Sequence, residues 1–161
     1  MTSASLDTLS SKLNLEAQLV EQFLAVLEAE WALLKDGKTN DLADTTARKE
    51  HFAQALDQAG KERETALAAL GLPAGRPGLE QAAKQSPQVD AQVTRLFGLA
   101  EKAKQLNENN GVAIQVYLQH AQKMLDELNR LAGIGDVYDA SGKTKTVANP
   151  GQPRLKPIKA G

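Results

Sequence analysis

From Leu13 onward, Leu13, Ala17, Val20, Leu24, Leu27, Trp31 and Leu34 follow one another at alternating spacings of four and three. That spacing sets all of them on one stripe of an α-helix. Leu19, Phe23, Val26 and Leu33 widen the stripe to nearly half the circumference, a width that suits packing against two neighbours. Lys35-Asp36-Gly37 should end the helix, with Gly37 as a left-handed cap. Thr39, Asn40 and Asp41 offer caps for a second helix from Leu42 to Leu70. Its stripe is Leu42, Thr45, Lys49, Phe52, Leu56, Ala59, Arg63, Ala66 and Leu70, with Lys49 and Arg63 expected to lay their stems along apolar surface.

Residues 71–78, GLPAGRPG, read as a connection, followed by a short helical turn at Leu79 to Ala83. Ser86-Pro87 then has the form of an N-cap with proline at the first helical position. The third long helix is the clearest. Val89, Val93, Leu96, Ala100, Ala103, Asn107, Asn110, Ile114, Tyr117, Ala121, Met124, Leu128 and Leu131 keep the four–three spacing without a slip. The stretch LNENNG at 106–111 has the composition of a turn, yet Asn107 and Asn110 fall on the stripe and Ile114 continues it in phase. One continuous helix is expected, on the order of 70 Å at about 1.5 Å per residue. Beyond Gly133 the pattern dies into a Gly-, Pro-, Lys- and Thr-rich segment, expected to be mobile or ordered only against a partner. The fold class expected is all-α: an elongated antiparallel bundle of three long helices, with a short connecting helix and a C-terminal tail. In domain terms, residues 1–133 form the bundle and 134–161 a flexible tail.

Composition narrows the function. Aromatics make up only 4% of the chain, which favours helices over strands. A net charge of −1 argues against nucleic acid as the main partner. There is no cysteine, so neither a disulfide framework nor thiolate chemistry is available. MTSASLDTLSSK lacks the basic and apolar regions of a secretory signal, and no stretch approaches the roughly 18 apolar residues of a membrane span. A cytoplasmic protein without membrane insertion is expected.

No motif carries catalysis. GKT occurs at 37–39 and 142–144, but the positions that a phosphate loop reserves for its first glycine hold Ala32 and Val137. His51 and His120 lie on different helices, and neither has a second histidine one turn away. No metal, no cofactor and no enzymatic activity are expected. Two features point to binding instead. Asn107 and Asn110 read as a polar notch in an apolar seam, fixing register and partner choice at some cost in stability. Leucine at both positions should then raise the melting temperature. Val112 and Val116 sit one turn apart on the opposite face, where they would extend a partner groove. Tyr138 stands alone in the polar tail as a docking anchor, with folding back onto the bundle as the alternative.

In combination these residues resemble the FlgN family of flagellar type III export chaperones. The resemblance runs through the leucine-rich first helix with Glu28 and Glu30, Lys49 and Arg63 leading into Leu70-Gly71, the LNxxNG stretch, and Tyr138 with Gly142 four residues on. The Pro/Lys-rich end, 147–161, has no counterpart. The resemblance implies a cytoplasmic, non-enzymatic helical protein that holds the helical termini of hook-associated proteins at the hook–filament junction. It would block their premature assembly and bring them to the type III export gate. On this reading Asn107, Asn110, Val112, Ile114, Val116, Tyr117, Leu118, Leu125 and Leu128 are the client-binding residues, and Tyr138 docks at the gate. The alternative is a coiled-coil structural or adaptor protein that self-associates, a homo-oligomer without a secretion client.

Overall fold

The computed structural model describes residues 3–133 and the backbone of 136–138 and 144–146. Four α-helices follow in order: α1, Ser3–Lys35; α2, Leu42–Ala69; α3, Gly75–Ala83; and α4, Pro87–Ala132. The chain divides into two compact units, residues 1–114 and 115–161.

The first unit is a helical bundle. α1 ends where expected, because Gly37 takes a φ of 67°. That left-handed turn lets the Lys38 and Gly37 amides donate to the Leu33 and Leu34 carbonyls, closing the last turn. A single 3-10 turn at Thr39–Asp41 leads into α2. Asp41 stands at the N-cap of α2 without a side-chain cap bond. Instead Thr45 and Thr46 donate back to the Leu42 carbonyl. α1 and α2 run antiparallel, as the ion pairs Lys12–Glu62 and Glu30–Lys49 at their opposite ends show.

α3 begins at Gly75, inside the stretch read as a connection and well before Leu79. Two local reasons account for this. The free Gly75 amide donates to Glu64 Oε2 on α2, so a side chain from another helix caps it. Pro77 falls in the first turn, where its missing N–H costs nothing. Leu79 and Ala82 then enter the core.

α4 starts as expected, with the Val89 amide donating to Ser86 Oγ at 3.4 Å. It runs unbroken through LNENNG and Gly111 to Ala132. Arg95 donates to Asn14 and Glu21, and Asn110 to Leu27 and Glu30, so α4 lies parallel to α1. The core joins Leu9, Leu13, Ala17, Val20 and Leu27 of α1 to Ala66, Leu67 and Leu70 of α2. Val89, Val93, Leu96 and Ala103 of α4 complete it.

Three stripe positions of the first unit depart from expectation. Trp31, Ala100 and Asn107 are exposed, while Glu16 and Glu30 are buried in their stead. A stripe of apolar spacing names the face of a helix, but its edges are decided by which neighbours exist to cover them.

In the second unit, a two-stranded antiparallel ribbon follows α4. β1 (Asp136–Tyr138) pairs with β2 (Thr144–Thr146), setting Tyr138 opposite Thr144. Val137, Tyr138, Thr144 and Thr146 are β-formers, a pattern the helical reading passed over. The remaining tail positions, including 147–161, lie outside the described residues.

A buried polar clasp and an open apolar helix face

Asn110 is wholly buried, and its side-chain amide joins two helices. The nitrogen donates to the Leu27 carbonyl at 2.8 Å and to Glu30 Oε1 at 2.9 Å. Glu30 is 1% exposed, and Lys49 of α2 donates to the same oxygen at 3.1 Å. One carboxylate thus ties α1, α2 and α4 together. A buried charge is tolerable only when paired and hydrogen-bonded, and here both conditions hold. Asn110 Oδ1, by contrast, is buried without a protein partner.

A second network sits further along the α1–α2 interface. Arg63 donates to Glu16 at 2.6 Å and to Glu64 at 2.9 Å, and Glu64 accepts the Gly75 amide described above. Burial pushes the Glu16 carboxyl above its ordinary range, and the charge and hydrogen bond of Arg63 only partly offset that. At Glu64 burial also pushes upward, but the bonds from Gly75 and Arg63 win and hold its carboxyl low. Both networks are internal. Among the described residues, no group of three or more metal-ligating side chains exists.

The candidate binding residues separate by burial. Asn110 faces inward and serves the clasp, so its amide is not offered to a partner in this structure. Asn107 is exposed and does not join Asn110 in a notch. The reason lies in phase: three residues turn the helix about 300°, enough to carry one of two stripe members past the edge of α1. Val112 is 62% exposed, and Ile114 is half-buried.

In the second unit Val116, Tyr117, Leu118, Met124, Leu125, Leu128 and Leu131 are all exposed. At about 100° per residue, all but Val116 fall within roughly 140° of arc. Val116 lies on the opposite side with Val112. Met124 and Leu131, at 67% and 76%, are the most exposed of these apolar residues and were overlooked as binding candidates. The four–three spacing already held both on the stripe. Tyr138 is the last residue of β1.

Large apolar side chains exposed along one helix face make this stretch the candidate binding surface. The model of the family described as FlgN protein matches residues 1–146. The chain belongs to the FlgN family. This makes it, in general terms, a flagellar export chaperone, in a family of chaperones rather than enzymes. The FlgN match spans the bundle, all of α4 and both strands of the ribbon, so bundle and open face fall inside one family unit. No curated protein and no solved structure matches the chain. Among the described residues, no helix is long and apolar enough to cross a membrane.

Proposed function

We propose that this FlgN-family protein binds the amphipathic terminal helices of hook-associated proteins, keeps them from assembling early and delivers them to the type III export gate in the cytoplasm. The observation that carries the reading is the run of exposed apolar residues on α4 after Asn110. Val116, Tyr117, Leu118, Leu125 and Leu128, with Met124 and Leu131, are the client-contacting residues, and Val112 and Ile114 lead into them. A helix laid along such a face is a recurring mode of peptide recognition, with anchors every three or four residues. Residues 1–133 are the scaffold and the client platform. The segment from 134 carries Tyr138, proposed as the gate-docking residue.

The test is calorimetric titration of purified protein with the terminal fragments of hook-associated proteins. Binding of one such fragment, weakened by Leu128→Ala, supports the reading. Absence of binding by every hook-associated fragment refutes it. For Tyr138, Tyr138→Ala should leave client affinity unchanged while reducing client secretion. Unaltered secretion would remove the gate role.

A further inference from the structure

From Tyr117 to Leu131 the open face repeats every seven residues. Ala121 and Leu128 hold one position, Tyr117, Met124 and Leu131 a second, and Leu118 and Leu125 a third. His120 and Glu127, both exposed, hold the rim beside the tyrosine–methionine row. Gln115, Gln122 and Asn129 line the other rim and carry no charge.

This arrangement is complementary to itself in one register. Setting Ala121 against Met124 of a second, antiparallel copy places Tyr117 against Leu128, small facing large and ring facing branched chain. The flanks follow without adjustment: His120 meets Glu127 of the second copy, and Leu118 meets Leu125. Twofold symmetry makes each of these pairs occur twice. Sliding the copies by one heptad instead brings Glu127 against Glu127 or His120 against His120. A parallel pairing stacks Ala121 on Ala121, leaving a gap, and faces Glu127 with apolar Ala132. Arg130 already donates to Glu127 Oε2, and the carboxylate's other oxygen remains to meet His120.

We propose that, without client, two copies of this protein pair antiparallel through Tyr117–Leu131 of α4, covering each other's open face until a client displaces the partner. The displacement rests on the chaperone reading above, whereas the pairing itself is measured with no client present.

The experiment is sedimentation equilibrium on the full chain. The expected result is a reversible dimer, weakened about fivefold by His120→Glu, which sets like charges together twice at a few tenths of a kcal/mol per pair. The double variant His120→Glu with Glu127→Lys should recover the original affinity. Circular dichroism keeps loss of folding apart from loss of pairing, since all these positions are on the surface. The chain has no cysteine, so orientation can be read directly. A mixture of Ala121→Cys and Met124→Cys proteins should form the mixed disulfide several times faster than either variant links to itself. A monomer at all concentrations, or no rescue by the double variant, overturns the pairing. So does faster self-linking of Ala121→Cys. A client that binds a strictly monomeric protein would remove this inference and leave the chaperone reading intact. A dimer unmoved by any hook-associated fragment would do the reverse.

Discussion

Asn110 bears more structural consequence than its neighbours in LNENNG. Its nitrogen completes the coordination of a carboxylate that is 1% exposed, so removing it strands Glu30 on Lys49 alone. Asn110→Leu should therefore cost roughly 1–3 kcal/mol in chemical denaturation, the range for a buried polar group losing a partner. This reverses the stabilisation that the sequence pattern suggests for leucine here, because the pattern treats the asparagine as a polar guest in a greasy seam. Replacing Glu30 and Asn110 together by leucine should cost less than the sum of the single changes, as expected for groups sharing one network. Glu16 and Glu64 give a second test at this scale, with opposite signs. Glu16 has a folded pKa above its ordinary 4.5, so the fold loses stability as pH climbs from there through the raised value. Glu64 is held below 4.5, so its contribution is present above that pH and is lost as pH falls through the lowered value. Glu16→Gln should flatten the weakly acidic side of a plot of melting temperature against pH. Glu64→Gln should flatten the more acidic side.

Among the elements, the most informative positions are two helical glycines. Gly111 lies inside α4 with nothing within 4 Å of where a Cβ would stand. Gly111→Ala should stabilise the protein by about 0.5–1 kcal/mol and raise its helical signal. A loss of helicity would mean that α4 bends there. Gly78 is the contrary case, since a Cβ would come within 1.8 Å of the Pro73 carbonyl oxygen. Gly78→Ala must push α3 off the preceding loop, and a marked fall in melting temperature is the expected outcome. The continuity of α4 was legible in the sequence because phase survives composition: Ile114 and Tyr117 resume the stripe where Leu96 and Ala103 leave it. The early start of α3 was not legible, because its cap comes from Glu64, far away in sequence. The ribbon was missed for a different reason. Strands of three residues are too short for alternation to stand out, leaving only the β-formers as signal.

At the scale of the whole molecule, the same stripe plays two roles along one helix. Val89, Val93, Leu96 and Ala103 are core, whereas Tyr117, Met124, Leu128 and Leu131 are exposed. Sequence could not divide the two, since a leucine that packs on α1 and a leucine awaiting a partner obey the same spacing. We propose that the exposed part of α4 is a binding surface and not a piece of the fold. The most direct measurement is calorimetry of Leu125→Glu/Leu128→Glu against a hook-associated terminal fragment, paired with thermal denaturation of the same variant. The expected result is at least a tenfold loss of affinity, about 1.4 kcal/mol or more, with the melting temperature unchanged. Unchanged affinity, or a collapse in melting temperature, would contradict it.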